Sequence, residues 1–361
     1  MPFSENLVRH PFLAALRALR ALARAAALAG LAAAPAAGEP QPVTLEPVVV
    51  EGSAFVPELE LDNEAAREEI ERTPGGVALV PDQRIDETRG ATLQDALDYV
   101  PGVLVRSRGT GEEPQLSIRG SGLRNNFHTR GVNVWIDGVP FHNADGFSDV
   151  ESLELLAAER IEVYKGANSL RYGGSALGGG IQLVTRNGRS AEPVRLRTEG
   201  GSFGYLKTFA STGAARGPWE AYLAASDTRS HGFRDHAEQD RQRLYASLGH
   251  RFDGGAALRV FVNGVRNRQE LPGALTRAEF RDDPSQASPA SELQDEARDY
   301  DYGRAALALA VPVGDYRSVE LYGQLNHQDL WHPLAFGIID NETTNANGEL
   351  RFVAADPLFG L

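Results

Sequence analysis

From about residue 193 the chain alternates apolar and polar residues with period two. Leu244, Ala246, Leu248 and Phe252 alternate with Arg243, Tyr245, Ser247 and Arg251. Leu258, Val260 and Val262 alternate with Arg259, Phe261 and Asn263. Val319, Leu321 and Leu325 alternate with Glu320, Tyr322, Gln324 and Asn326. Each run predicts a strand with one apolar and one polar face. Asp253-Gly254-Gly255 and Gly314-Asp315 predict tight hairpin turns between such strands, while residues 231–240, 271–299 and 331–347 are longer polar stretches expected as loops. Seven strands are expected, with the start of an eighth at residues 350–353. Tight turns at one end and long loops at the other fit a transmembrane barrel. A soluble β-sandwich shares the alternation and is not excluded by it.

Residues 65–190 have a different pattern, that of a compact mixed α/β unit. Helices are predicted at 64–71 and 92–100, the latter with apolar Leu93, Ala96, Leu97 and Val100 at helical spacing. Thr92 is placed to cap that helix with Asp95 three residues on, and Pro101-Gly102 stops it. A short helix is expected at 150–158 with Leu153, Leu155 and Leu156 inward. Strands are expected at 77–80, from 103, and at 115–119, 132–136, 161–164 and 181–185. Before this unit, residues 38–62 are rich in proline and acid and are expected to be mobile apart from Val48, Val49 and Val50.

The amino terminus reads as an export signal. Arg9, His10, Arg17, Arg20 and Arg24 precede an apolar run of about ten residues, short of the ~20 that a membrane helix needs. Ala34-Pro35-Ala36 offers small residues for cleavage, so residues 1–37 are assigned as a signal peptide. No later stretch is long and apolar enough for a spanning helix, so a membrane-spanning mature chain must use strands. The net charge of −13 argues against a nucleic-acid partner. The absence of cysteine excludes disulfides, thiolate metal sites and a cysteine nucleophile. Neither a nucleophile–base spacing, a zinc motif nor a nucleotide loop is present, so the chain is read as a non-enzyme without a cofactor or a metal site of its own.

Several motifs occur in an order that resembles the TonB-dependent outer-membrane receptors. Leu45-Glu46-Pro47-Val48-Val49-Val50-Glu51-Gly52 is similar to a TonB box. Thr92-Leu93-Gln94-Asp95-Ala96-Leu97 with Val100-Pro101-Gly102-Val103 resembles the first helix and strand of the plug domain. Ser117-Ile118-Arg119-Gly120, Ile136-Asp137-Gly138-Val139-Pro140 and Glu159-Arg160-Ile161-Glu162-Val163-Tyr164-Lys165-Gly166 continue it, and Arg171-Tyr172-Gly173 and Ala176-Leu177-Gly178-Gly179-Gly180-Ile181 close it. Phe127-His128-Thr129-Arg130-Gly131, Gly232-Phe233-Arg234-Asp235-His236 and Leu271-Pro272-Gly273-Ala274-Leu275-Thr276 are most similar to the ferric dicitrate and siderophore receptor branch.

The resemblance implies an α+β plug domain followed by an antiparallel transmembrane β-barrel, incomplete here at seven or eight of roughly 22 strands. The expected organisation is a signal peptide (1–37), a flexible segment with the TonB box (38–63), the plug (64–190) and the first part of the barrel (191–361). The closing residues, Asp356-Pro357-Leu358-Phe359-Gly360-Leu361, lack the aromatic end of outer-membrane strands, so the chain reads as the amino-terminal part of a receptor, as a fragment or a truncated product. The implied function is active uptake of a ferric siderophore or ferric citrate across the outer membrane of a Gram-negative cell. Uptake of cobalamin, a nickel or copper chelate or a sugar, or a nonfunctional receptor remnant, remain alternatives.

The resemblance also assigns residues. Glu46, Pro47, Val48, Val49 and Val50 would form the strand that pairs with TonB, driven by its inner-membrane energising proteins; three β-branched residues favour that extended form. Arg124, Asn125, Asn126, His128 and Arg130 on one apical loop, and His142 and Asn143 on the next, would contact the ferric chelate. Guanidinium groups suit an anionic chelate, and the histidines are not read as metal ligands because the chelator already fills the metal's coordination sphere. Arg119 and Arg160 would face glutamates of late barrel strands, and outer-membrane lipid would surround the barrel.

Overall fold

The computed structural model describes residues 63–108, 113–123, 131–144, 146–174, 176–314 and 316–354. It opens with helix α1 (Asn63–Arg72) and strand β1 (Val77–Pro81), then the short helices α2 (Asp82–Asp86) and α3 (Leu93–Leu97). Thr92 caps α3: its hydroxyl accepts from Asp95 N–H, while the Asp95 carboxylate accepts from Thr92 N–H at 2.9 Å. This reciprocal pair satisfies amides that the first turn leaves open. Leu93, Ala96 and Leu97 are buried, and the helix stops three residues earlier than its apolar spacing suggested. There the chain turns, with Val100 N–H on Leu97 C=O, to enter β2 (Val103–Arg108), which pairs with β3 (Glu113–Ile118) as a separate hairpin.

Strands β4 (Val132–Ile136), β5 (Val139–Pro140), β6 (Ala158–Lys165) and β7 (Gly179–Thr185) join β1 in a five-stranded sheet of order β1-β6-β7-β4-β5. Only β4 and β7 run parallel. Every residue of β4, β6 and β7 is buried. Each fully buried Val, Leu or Ile there contributes about 1.5–3 kcal/mol through the hydrophobic effect. This plug sheet is where the apolar core is concentrated.

The helix expected at 150–158 is not formed. Two single 3-10 turns, Val150–Ser152 and Leu155–Ala157, flank an extended Leu153, and β6 begins at Ala158. Every residue from 150 to 158 is buried, so its apolar positions do not mark one helix face, and the extended Leu153 lets Glu151 and Glu154 each reach a cation of the second sheet or its loop.

The barrel portion is one antiparallel meander of eight strands: β8 (Arg195–Gly200), β9 (Leu206–Arg216), β10 (Trp219–Ser230), β11 (Gln239–Arg251), β12 (Ala257–Gln269), β13 (Asp299–Pro312), β14 (Arg317–Leu334) and β15 (Gly337–Ala354). The sheet does not close; β8 and β15 are its edges. Residues 217–218 and 252–256 are tight connections at one end, where Val313 N–H also donates to Arg317 C=O at 2.8 Å. At the other, residues 201–205, 231–238 and 270–298 are joined by a tip at 335–336. The 270–298 connection carries helices α4 (Arg277–Asp282) and α5 (Pro289–Gln294).

The loop expected at 331–347 is a second correction. β14 and β15 pair without a break from Arg317↔Ala354 to Leu334↔Gly337. Residues 341–347, Asn-Glu-Thr-Thr-Asn-Ala-Asn, contain neither glycine nor proline to interrupt a ladder, and their polar side chains are exposed or half-buried. A strand that rises into water needs no apolar face, so polarity alone does not mark a loop.

Along β11 and β12 the inward side chains Arg243, Tyr245, Arg259 and Phe261 are buried, while outward Leu248 and Val260 are 50% and 43% exposed. No helix among the described residues is long and apolar enough to cross a membrane.

Candidate functional site at the plug–barrel contact

The segment between β5 and β6 places three carboxylates, Asp149, Glu151 and Glu154, against the inner wall of the barrel sheet. Glu154 Oε1 lies 3.0 Å from Lys207 Nζ on β9, and Ser226 of β10 donates to Oε2 at 2.5 Å. Arg243 of β11 lies 3.7 Å from the same carboxylate and donates to Glu151 C=O at 2.8 Å. Arg298, just before β13, meets Asp149 at 2.9 Å and Glu151 at 3.0 Å through one nitrogen, and Gln328 of β14 donates to Asp149 at 3.1 Å. Burial alone would push the Glu154 carboxyl up. The Lys207 ammonium and Arg243 guanidinium outweigh it, helped by Ser226, and hold its pKa below the usual range. Charges this deep are tolerable only when paired and hydrogen-bonded.

A second contact is made by the β4–β5 turn. Asp137 sits at φ 53°, and its carboxylate accepts from Thr185 N–H at 2.9 Å, Thr185 Oγ1 at 2.8 Å and the Tyr245 hydroxyl of β11 at 2.9 Å. Gly138 has φ +77°, and a side chain there would drive into the Tyr322 ring of β14. Its carbonyl accepts from Arg351 of β15 at 2.9 Å. Glycine is therefore required by the backbone angle and by the close approach of the wall. Beside this turn a cavity of about 20 Å3, lined in part by Ser152, Glu154, Thr185, Tyr245 and Tyr302, has room for a water.

At the tight-turn end, Asp82 and Asp86 of α2 meet Arg186, Arg195 and Arg197. Arg186 reaches Asp82 at 2.9 Å, Arg195 bonds Asp86, and Arg197 donates to Asp86 C=O at 2.9 Å and Thr88 C=O at 2.6 Å. Plug carboxylates thus meet wall cations at both ends of the contact.

Of the residues assigned from sequence, His142 and Asn143 face β14 and β15. The His142 carbonyl accepts from Asn347 at 2.6 Å, and Asn143 Oδ1 accepts from Asn326 at 3.4 Å, which in turn accepts from Asn345 at 3.1 Å. Burial lowers the His142 pKa, against the opposing influence of a hydrogen bond with the Val134 backbone and of Glu349. The ring stands edge-on to Trp135 at 6.2 Å. Arg160 is fully buried and pairs with Glu162 at 2.6 Å on its own strand. Arg119, at φ 50°, packs its guanidinium beside Gly76 and Lys165 within the plug. Glu46, Pro47, Val48, Val49 and Val50, and Arg124, Asn125, Asn126, His128 and Arg130, lie outside the described residues, as does the assigned signal peptide. Among the described residues no group of three or more His, Cys, Asp or Glu is arranged to hold a metal ion.

The wall partners Lys207, Arg243, Tyr245 and Arg298 were not singled out from sequence. Their signal was present in part: each is a cation or phenol on the non-aliphatic face of, or next to, an alternating run. Nothing local distinguishes a lumen-facing arginine from a solvated one.

Residues 69–180 match the family model described as the TonB-dependent Receptor Plug Domain. The ferrioxamine receptor of Yersinia enterocolitica is 28% identical over 194 residues, 53% of this chain and 26% of that protein. The vitamin B12 transporter BtuB of Vibrio vulnificus (strain CMCP6) is 28% identical over 202 residues, 51% of this chain and 31% of that protein. The matched region thus spans less than a third of either curated relative. The crystal structure of the ferric citrate transporter FecA in its unliganded form superposes with a TM-score of 0.64 at 19% identity, covering 83% of this chain and 46% of that one. At that identity the likeness establishes the fold.

Proposed function

We propose that this chain, whose residues 69–180 match the TonB-dependent receptor plug model and whose eight-stranded sheet shares the fold of the ferric citrate transporter, serves active uptake of a ferric siderophore or ferric citrate across the outer membrane. The observation that carries this reading is the plug–barrel contact itself. The plug's Asp137, Asp149 and Glu154 are held by the lumen side chains of strands whose other face is aliphatic. That arrangement suits a gate seated inside a lipid-facing wall. By the rule that outer-membrane barrels have short periplasmic turns and longer outer loops, the 231–238 and 270–298 loops face the exterior. The names of the ferrioxamine receptor and the ferric citrate transporter support a ferric chelate as cargo. Arg124, Asn125, Asn126, His128 and Arg130, with His142 and Asn143, would contact it. Val48, Val49 and Val50 would add as a strand to TonB. Arg119 and Arg160 would meet glutamates of later strands, and residues 1–37 would direct export. The likeness to the vitamin B12 transporter favours cobalamin as the second reading.

The test is uptake of radiolabelled ferric citrate, ferrioxamine B and cyanocobalamin by cells expressing the gene, with binding measured on their outer membranes. Val49→Pro removes a ladder donor. It is expected to abolish uptake of the favoured probe and leave its binding within about twofold, since a lost ladder bond touches only the strand pairing. Unchanged uptake in that variant overturns the box assignment. Uptake of cyanocobalamin alone moves the cargo to the second reading.

A further inference from the structure

Arg298 stands at a junction that the transport reading leaves unused. It is the last residue of the 270–298 loop before β13. Its backbone closes the neck of that loop: Arg298 N–H donates to Gln269 C=O at 2.7 Å, and its own carbonyl accepts from Asn267 at 2.7 Å. Directly above it, Ala297 bridges Glu270, Ala297 N–H reaches Pro333 C=O at 3.2 Å, and Leu271 N–H donates to Glu296 C=O at 2.8 Å. The Glu296 carboxylate accepts from Ala335 N–H at the β14–β15 tip at 2.5 Å.

The loop above this neck is internally tied rather than a slack connection. Arg234 of the 231–238 loop donates to Gln286 C=O, Gly273 C=O and Pro272 C=O at 2.9, 2.5 and 3.0 Å. Three carbonyls converging on one guanidinium hold two outer loops together. At the loop's base one nitrogen of Arg298 reaches down to both plug carboxylates, Asp149 and Glu151, neither of which is more than 5% exposed along its side chain.

We propose that Arg298 is a positioning residue that joins the outer loop 271–297 to plug segment 149–151, so that displacement of either displaces the other. The link is a pair of charge-assisted hydrogen bonds from one nitrogen to two largely desolvated carboxylates. Its alternative is costly: moving the loop alone would take the Arg298 guanidinium away from two buried carboxylates. A ferric chelate that displaces loop 271–297 in any direction would therefore act on the plug through the same guanidinium, and a moving plug would act on the loop. This consequence rests on the transport reading; the coupling itself does not, and its test needs no cargo.

Amide hydrogen exchange of the full chain in detergent micelles, read by mass spectrometry, decides it. The reporters are the neck amides of Leu271, Glu296 and Ala297. The control is the Phe252 amide at the opposite end of the sheet, which donates to Ala256 C=O. The double variant Asp149→Asn, Glu151→Gln alters only the plug. It is expected to speed neck exchange about tenfold, the factor that matches one lost hydrogen bond to a charged group, and to leave the control unchanged. Arg298→Met should do the same and also speed exchange in plug amides 150–153. Arg298→Lys, which keeps a cation within reach of both carboxylates, should retain neck protection within about threefold of the parent. Unchanged neck exchange in the plug variant overturns the proposal. So does equal acceleration at the control, which is general loosening, and so does failure of lysine to rescue. A chain that takes up none of the three probes but shows the exchange pattern retains the coupling and loses only the transport reading.

Discussion

Strands β6 and β11 are of the same chain and similar sequence polarity, but their surroundings differ. All of β6 is buried, whereas β11 alternates between buried and half-buried or exposed positions. The plug sheet has protein on both faces, and a buried charge there has a partner on its own strand. Arg160 pairs with Glu162 at 2.6 Å, Glu162 accepts from the Tyr164 hydroxyl at 2.7 Å, and Tyr172 donates to Tyr164 at 3.1 Å. The barrel sheet sorts its side chains by face. Some of its inward cations find partners on the other body, as Lys207 does on Glu154 and Arg243 on the Glu151 carbonyl, while Arg259 pairs with Glu220 within the wall at 2.6 Å. Arg160 and Glu162 thus specify the plug, while Lys207 and Arg243 on the wall specify how the plug sits in it.

The sharpest way to break this contrast is to remove a wall cation. Lys207→Met leaves Glu154 buried beside a methyl group, a loss expected to cost about 3–5 kcal/mol. The expected result is a large fall in the urea midpoint for loss of plug protection. Adding Glu154→Gln should recover most of it, because the uncompensated charge and not the missing contact is the problem. A neutral single variant would mean that Arg243 alone holds Glu154.

The outward face makes the opposite demand. Leu321→Arg places a guanidinium between Leu309 and Leu350, its cross-strand partners on the outward face. In a bilayer this costs about 2–4 kcal/mol near the midplane. The variant is expected to be extracted from an outer-membrane fraction at lower urea than its parent. Equal extraction would place this face in water rather than lipid.

The smallest effect concerns pH. The Glu154 carboxyl is lower in the folded chain than its unfolded value of about 4.3. Its contribution is therefore complete above that value and is lost as pH falls through the folded pKa. Plug protection followed from pH 7 to pH 3 should decline below about pH 4, the unfolded carboxylate value. In Glu154→Gln that decline should be shallower. An unaltered acid profile would assign the loss to other carboxylates, Asp149 and Glu151 first.

Much of the architecture was legible because period and punctuation are local. Thr92 and Asp95 announced the α3 cap, and Asp253-Gly254-Gly255 the β11–β12 turn. The alternation of Leu244, Ala246 and Leu248 with Arg243, Tyr245 and Ser247 gave the two faces of β11. Two readings failed where local signals mislead. At 150–158 the apolar residues suggested one helix face, but the segment is enclosed on every side. At 331–347 polarity suggested a loop, but Asn345 and Asn347 lie in a strand and bond Asn326 and the His142 carbonyl.

The sequence by itself determined that a mixed α/β unit precedes an alternating antiparallel sheet, because side-chain period follows from backbone geometry over a few residues. It also carried the ordered motifs of the plug. Only the tertiary structure decided which face of the wall meets the plug and which charges pair across the contact. Asp137 finds Tyr245 across 108 positions, and Asp149 finds Gln328 across 179. Pairings at such separations depend on how two sheets pack and on the low dielectric between them, and no local pattern records either.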